Sequence, residues 1–340
     1  MTWVAVFGNQ DNDQHVRQDL LPRLDKGTLV LELELSDVRS NARILQMPWG
    51  KGQFYLSFKG TERIRLKLGD RTSFIELGPH SGTGTLRLSF AWDCARGWAE
   101  LALDRPNAAP ILGTVISSPQ ALLGSNIRNH STFEIAPGVS YIAISESIEP
   151  LGPAPAIAQG TPVTTAHGNV PIDVLKRGDL VMTNDGRLVP ILFKISRRVP
   201  ARGRFAPYRL RAPYLELNRD IIVGAEQHIE MRGSDVEYTF GKEAVFVAAS
   251  SLANGFAAQA ETHGLFVTYH QLLLPTHESI LVAGAALESL YIGRLRRHPR
   301  KLARSILHNV GRNLLPEHAG VRHPALRRFD AIALLDQRAA

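Results

Sequence analysis

The first 150 residues are dominated by strict alternation of apolar and polar side chains. The run LVLELEL, residues 29–35, places four leucines at every second position, and three later runs repeat the pattern: RIRLKL (63–68), TLRLSFAW (85–92) and WAELALD (98–104). Successive side chains of a β-strand point to opposite faces, so each run is expected to form a half-buried strand.

Turn signals separate these runs, for example Gly69-Asp70, Ser81-Gly82 and Arg96-Gly97. Many short strands with little helical periodicity predict an antiparallel β-sandwich of jelly-roll type. The phrase GTLRLSFAWDCARGWAELALD resembles the laminin-G and concanavalin-like lectin sandwiches. The first domain is therefore predicted to be a lectin-like sandwich.

The resemblance to lectin sandwiches implies two interpretations of the residues around the Arg96-Gly97 turn. Trp92, Asp93 and Trp98 could form a carbohydrate-binding face, or they could be core tryptophans that flank a turn acid. Cys94 is interpreted as an unreactive small side chain. As the one cysteine of the chain, it permits no internal disulfide, which fits a reducing compartment.

A proline-rich stretch marks the end of the first domain. IEPLGPAPAIAQGTP, residues 148–162, holds four prolines, too many for the interior of a helix or strand. The predicted organisation is a sandwich over residues 1–147, a linker over 148–158, a second domain over 159–293 and a tail over 294–340.

Neither a membrane span nor a secretory signal is evident in the sequence. The chain has no run of about 18 apolar residues, and MTWVAVFGNQDND lacks the basic and apolar regions of a signal peptide. We expect a protein that is not integral to a membrane and is either cytoplasmic or exported without a Sec signal.

The second half opens with a dense turn pattern, GTPVTTAHGNVPIDVLKRGDLVMTNDGRLVPI, which predicts hairpins at His167-Gly168 and at Asp185-Gly186. This stretch resembles the Hint (Hedgehog/intein) domain, in its bacterial form, over more than thirty positions. IIVGAEQHIEM (221–231), YHQLLLPTHESILVAGAALESLY (269–291) and HPALRRFDAIALL (323–335) are similar to later parts of that family. The resemblance implies an all-β fold and an ancestral self-cleaving chemistry.

That chemistry needs a nucleophile just after the scissile peptide bond and an acid that protonates the leaving nitrogen. Alignment on Gly160-Thr161 puts Ala156 at the nucleophile position and Ala225 at the Thr/Ser position of the Thr-x-x-His block, leaving His228. His228 is either a residual acid or base or a packed histidine at a strand edge. Gln271 and Pro275 also depart from the family pattern, whereas His277 and Glu278 are retained. Self-cleavage is therefore predicted to be lost, leaving a scaffold or binding role.

A shifted nucleophile or protein splicing would each leave the chain some activity. A shifted hydroxyl nucleophile, Thr161, Thr164 or Thr165, is an alternative, although threonine also suits the predicted strand. Splicing needs a C-terminal Asn followed by Cys, Ser or Thr, but Val310 follows the late His308-Asn309 pair. The sequence therefore does not predict splicing.

Metal ligation is not predicted, and no cofactor is expected. His263, His270 and His277 recur every seven residues, but an odd spacing alternates the faces of a strand. THESIL begins like a zincin motif, but Leu281 occupies the position of its second histidine.

The positive charge is concentrated near the C-terminus. The net charge is −1 for residues 1–150 and +8 for 151–340, and the segment 294–328 holds ten basic residues and one acid, Glu317. Leu302, Ile306 and Val310 predict a helix. An acidic macromolecule could bind the tail, or the helix could pack on the second domain with a solvated face. The candidate contacts are Arg296, Arg297, Arg300, Lys301 and Arg304.

Overall fold

The computed structural model describes residues 2–8, 14–35, 41–77, 84–105, 108–253, 255–262 and 264–339. The chain divides into two compact units, Met1–Gly152 and Pro153–Ala340. The predicted turn at Ser81-Gly82 and the residue His263 lie outside the described residues.

The described residues of the first unit form antiparallel strands and one short α-helix, α1 (Gly124–Arg128). Its described strands are β1 (Trp3–Gly8), β2 (Gln14–Val16), β3 (Arg23–Leu24), β4 (Lys26–Glu34), β5 (Arg43–Trp49), β6 (Gly52–Lys59), β7 (Arg63–Leu68), β8 (Arg71–Glu76), β9 (Thr85–Asp93), β10 (Trp98–Asp104), β11 (Ile111–Ser117), β12 (Leu122–Leu123), β13 (Glu134–Ile135) and β14 (Val139–Ser145).

Two antiparallel sheets form the sandwich, in the orders β11-β10-β9-β4-β14-β1-β2 and β13-β5-β6-β7-β8. Aromatic side chains from both sheets meet in a single core. Trp49 of β5 lies 4.8 Å from Trp92 and 5.4 Å from Phe90 of β9, measured between ring centroids. The prediction of an antiparallel sandwich is confirmed.

The alternation in β4 does not leave its second face in water. Glu32 is completely buried, because Arg87 of β9 donates to its Oε1 from both Nε and Nη2, at 2.8 and 2.6 Å. The polar pattern predicts that Glu32 faces solvent. Instead, the ion pair with Arg87 of the neighbouring strand satisfies the buried carboxylate.

The second unit is also mainly antiparallel β structure, with three short helices: α2 (Ser234–Phe240), α3 (Pro299–Arg304) and α4 (Arg328–Ala339). Its described strands are β15 (Ile157–Ala158), β16 (Pro162–Thr165), β17 (Gly168–Pro171), β18 (Leu180–Met182), β19 (Leu188–Pro190), β20 (Phe193–Pro200), β21 (Pro207–Leu210), β22 (Ile221–Gly224), β23 (His228–Arg232), β24 (Ala244–Ala248), β25 (Ala258–Ala260), β26 (Phe266–Leu273), β27 (Ser279–Val282) and β28 (Ala285–Glu288).

These strands form two sheets, β20-β26-β15-β22-β21-β25 and β19-β18-β16-β27-β28-β23-β24, with β17 beside β16. Strand β15 lies between β22 and β26, with Ile157 paired to Val223 on one side and to His270 on the other. The two residues that follow Ala156 therefore form an inner strand.

The tail packs on the second unit, but it is less helical than its pattern suggests. Helix α3 ends at Arg304, so the prediction of a continuous helix through Ile306 and Val310 is wrong. Ser305 Oγ donates to the Leu302 carbonyl and accepts from the Leu307 amide, and these bonds replace helical ones. Leu334 of α4 is buried in the core of the unit.

Candidate functional site

Ala156 immediately precedes β15 and is held in the sheet by its backbone. Its carbonyl oxygen accepts a 2.6 Å hydrogen bond from the amide of Gly224, the last residue of β22. A Cβ placed on Gly224 would lie 3.3 Å from the Ala156 Cβ and 3.5 Å from the Tyr269 ring. The two backbones are therefore close, and position 156 presents a methyl group.

Ala225 begins the turn that joins β22 to β23. It is buried, its amide donates to the Ala206 carbonyl at 3.0 Å, and its own carbonyl accepts from the Ser250 amide at 3.0 Å. Gln227 N–H donates to the Gly224 carbonyl at 2.9 Å and completes the turn. The backbone of this block is thus fixed without any side-chain hydroxyl at position 225.

His228 is buried at the start of β23, where its ring stacks on Phe246 of β24 with centroids 5.8 Å apart. Its Nδ1 lies 2.5 Å from Glu288 Oε2 at the end of β28. The other carboxylate oxygen, Oε1, lies 2.9 Å from His277 Nε2. The histidine of the predicted block therefore belongs to a buried cluster of His228, Glu288 and His277, which we call the His-Glu-His cluster.

The charges of the His-Glu-His cluster support one another. Burial favours the neutral acid, but hydrogen bonds and charges of His228 and His277 outweigh it and lower the pKa of Glu288 to about 2. Burial also opposes the imidazolium, but Glu288, with a smaller contribution from Glu226, raises the pKa of His228. The cluster thus favours a carboxylate beside a protonated His228.

Two glutamines connect the 225–228 turn to the closing hairpin. Gln271 Nε2 donates at 3.0 Å both to Gln227 Oε1 and to the Glu288 carbonyl. Gln227 Nε2 donates to the Glu288 carbonyl at 3.1 Å. At position 271, where the family pattern has a histidine, this chain therefore has an amide that ties the two segments together.

The retained pair His277-Glu278 is buried and holds the tail. Glu278 Oε2 accepts from Arg187 at 2.9 Å and from Arg322 at 2.7 Å. His277 Nδ1 accepts from the Arg322 amide at 2.9 Å. The carboxylate connects the β18–β19 hairpin to the tail, and His277 lies between the tail and Glu288.

The alternative threonine nucleophiles lie at the β16–β17 hairpin or just before it. Thr164 Oγ1 donates to Asn169 at 3.0 Å and Thr165 Oγ1 donates to the Gly168 carbonyl at 2.7 Å, so both hydroxyls serve the hairpin. Thr161 is buried just before β16.

The residues proposed as a ligand face in the sandwich do not form one surface. Trp92 has no exposed area, and its Nε1 donates to the Leu24 carbonyl at 3.0 Å, so its ring cannot stack on an external ligand. Asp93 Oδ1 accepts from the Arg96 amide at 3.0 Å. For Trp92 and Asp93 the structure agrees with a core tryptophan and a turn acid; Trp98 is partly exposed. Burial raises the pKa of the Cys94 thiol, which disfavours the nucleophilic thiolate.

The candidate polyanion contacts are also divided. Arg296 and Arg297 both bind Glu317, at 2.6 and 2.5 Å, and Arg304 is buried. Arg300 is exposed and Lys301 partly so. Glu317, the one acid among the ten basic residues of 294–328, therefore pairs with two of the candidate contacts.

Within the described residues, no group of three or more His, Cys, Asp or Glu side chains is arranged to hold a metal ion. Over the same part of the chain, no helix combines the length and apolar character needed to cross a membrane.

Sequence reasoning missed Glu288, Gln227 and Arg322. Glu288 stands in AALESLY as an ordinary polar residue, and only the pairing of β28 with β23, through Leu287 and Ile229, brings it to His228. Arg322 carries no local signal, because its partners Asp185 and Glu278 are distant in sequence.

Comparison with known proteins finds one family model and several solved structures that are similar to parts of this chain. The model of the Hint domain family matches residues 155–294. The carbohydrate-binding module CBM40 of the Ruminococcus gnavus IT-sialidase is 12% identical, covering 42% of this chain and 74% of its own with a TM-score of 0.24. The LG1-3 region of the laminin alpha2 chain is 8% identical, covering 86% of this chain and 57% of its own, with a TM-score of 0.24.

No curated protein matches the sequence. The sandwich of the first unit is established by its own two sheets and shared core. Together with its antiparallel sheets and turn motifs, the family match over residues 155–294 identifies the second unit as a Hint domain.

Proposed function

We propose that this Hint domain has lost self-cleavage and now serves as a scaffold, with any binding role supplied by the first unit. The observation that carries the proposal is the backbone position of Ala156, fixed beside Gly224 by the 2.6 Å hydrogen bond. The residue aligned with the family's nucleophile is held at the start of an inner strand but carries only a methyl group.

The reaction that Ala156 prevents is an N-to-S acyl shift. A thiol at position 156 would attack the carbonyl carbon of Pro155, so that a C–S bond forms and the C–N bond to residue 156 breaks. The thiol proton ends on the new α-amine, passed through an acid such as His228. Hydroxylamine would then cleave the thioester. Alanine cannot begin this sequence because it has no atom that can attack.

The 225–228 block supports the same proposal. Ala225 cannot polarise the scissile carbonyl through a hydroxyl, and the Gln227–Gln271 contact ties this turn to the closing hairpin by amide hydrogen bonds. Hydrogen bonds of this kind stabilise the fold and supply neither a proton nor a nucleophile.

The test is the intact mass of the full-length protein at neutral pH, with and without hydroxylamine, for the wild type, Ala156→Cys and Ala156→Cys/Ala225→Thr. Ala158→Cys is the matched control, because Ala158 is a small, buried residue two positions further along the chain, in β15. We expect the wild type and the control to stay intact near 37.4 kDa. At least one of the two variants with cysteine at 156 should cleave after Pro155.

Cleavage of the wild type would overturn the proposal, and the new N-terminus would name the nucleophile. A terminus at Thr161 would favour the shifted-hydroxyl alternative. Equal cleavage of the Ala156→Cys and Ala158→Cys variants would show that position 156 has no special relation to the site.

A further inference from the structure

The carboxylate of Glu288 is bound on both sides by imidazole rings. Oε2 lies 2.5 Å from His228 Nδ1 and Oε1 lies 2.9 Å from His277 Nε2. The Glu288 carbonyl also accepts hydrogen bonds from Gln227 and Gln271, so the residue is fixed by its backbone as well. A carboxylate held in this way has little freedom to leave His228.

His277 lies between the tail and Glu288. Its Nδ1 accepts a hydrogen bond from the backbone amide of Arg322, and its other ring nitrogen, Nε2, faces Glu288 Oε1 at 2.9 Å. Tyr291 and His318 pack on the ring, with centroids at 4.9 and 6.0 Å. The tail therefore fixes His277 against the carboxylate that contacts His228.

His228 then has one arrangement of its ring nitrogens. Glu288 is an ionised acceptor, so Nδ1 of His228 must be the donor across the 2.5 Å contact. Of the residues packed around the ring, Glu288 and Glu226 carry the charges that act on it, while Phe246 contributes only an aromatic face. Only Nε2 of His228 is left to exchange a proton with a reacting group.

We propose that Glu288 is a positioning residue for His228: it directs Nδ1 away from any reaction and keeps the ring in its imidazolium form, with Nε2–H as the proton donor. The inference deepens the proposed function, because it names the residue that would prepare His228 for acid catalysis at position 156. It predicts that the acid side of the lost reaction is still assembled and that the nucleophile side is absent.

The first experiment observes the ring directly and needs no cleavage. Long-range ¹H–¹⁵N spectra of the full-length protein give the protonation state of His228 against pH in the wild type, Glu288→Gln and Glu226→Gln. We expect the pKa of His228 to be higher in the wild type than in Glu288→Gln, because the variant removes the charge that favours the imidazolium. Glu226→Gln, which removes a charge but no hydrogen bond to the ring, should change it much less.

Equal titration of His228 in the wild type and in Glu288→Gln would overturn the inference, and so would a wild-type His228 that titrates below the ordinary range of histidine. If Glu288→Gln does not fold, the wild-type titration decides alone. The His228 titration does not depend on cleavage. The inference about Glu288 can therefore fail while the proposed loss of self-cleavage stands, and it can hold even if the wild type cleaves.

The second experiment measures the effect on chemistry. Hydroxylamine-dependent cleavage is followed against pH in whichever variant with cysteine at 156 cleaves, with and without Glu288→Gln. Because Glu288 acts through His228, its replacement should move the high-pH limb of the profile to lower pH, in step with the fall in the His228 pKa. A uniform fall in rate with no shift in the profile would assign Glu288 a purely structural role and overturn the proposal.

Discussion

Gly284, between β27 and β28, is a single residue on which the local geometry of the second unit depends. It has φ +96°, and a Cβ there would collide with the carbonyl oxygen of Glu216. Gly186 has φ +81° with open space around it, so it shares the backbone conformation without the collision.

We expect Gly186→Ala to cost about 1 kcal/mol of unfolding free energy from the left-handed backbone alone. Gly284→Ala should cost at least about 2 kcal/mol more, because two backbone segments must separate. Urea unfolding of both variants measures the difference. Equal values would mean that the Glu216 loop moves aside freely.

Also at the residue scale, sequence reasoning singled out the positions aligned with the family's motifs and missed the residues that contact them. Ala156, Ala225 and His228 are recognisable because turn residues fix their register along the chain. Glu288 and Gln227 are not, because strand pairing between distant segments brings them to the site. The sequence leaves Trp92 as either a ligand contact or a core residue, because it cannot show that Trp49 of the other sheet packs on the Trp92 ring.

At the scale of elements, the pairing of β4 with β9 contains the buried ion pair of Glu32 and Arg87, whose side chains are 0% and 5% exposed. We expect Arg87→Met to destabilise the first unit by about 3–5 kcal/mol, because the Glu32 carboxylate would remain buried after losing the guanidinium that compensates its charge. Glu32→Leu/Arg87→Met should recover part of that loss.

The matched control is Arg63→Met, which breaks the exposed pair of Arg63 and Glu76 in the other sheet and should cost less than about 1 kcal/mol. Chemical denaturation of the three variants provides the comparison. Similar losses for Arg87→Met and Arg63→Met would show that burial of the pair has no energetic consequence.

Helix α4 lies beyond the residues matched by the Hint family, yet it contributes to the core of the second unit. Leu334 is 1% exposed and Ile332, on the same helix, is 42% exposed. We expect Leu334→Ala to cost about 2–5 kcal/mol and Ile332→Ala about 0.5 kcal/mol or less. The melting temperatures of the two variants test this, and equal effects would mean that the helix does not complete the core.

For the whole molecule, alternation and turn residues were enough to predict two mostly β regions, because both signals are local. They were not enough to give the path of the tail. Its apolar spacing predicts one longer helix, whereas the hydrogen bonds of Ser305 end α3 after six residues. Nor could they show that Glu317 binds two of the predicted basic contacts, Arg296 and Arg297.

Acid should destabilise the second unit through its buried and bridging carboxylates. The folded-state pKa of Glu288 is about 2, below the ordinary 4.5, and hydrogen bonds from Arg187 and Thr183 lower the pKa of Asp185. A lowered carboxyl pKa contributes stability that is fully present above the unfolded pKa. That stability is lost as pH falls from about 4.5 towards 2.

The second unit has its own thermal transition, which is the one that Leu334→Ala shifts, because Leu334 belongs to the core of this unit. Between pH 5 and about 2.5, the wild-type midpoint should fall more steeply than that of Glu288→Gln, which has no carboxyl to protonate at this position. His228 acts in the opposite sense, because its raised pKa contributes stability that is lost as pH rises through it. Parallel acid slopes in wild type and Glu288→Gln would show that the His-Glu-His cluster does not stabilise the fold, even if it sets the charge of His228.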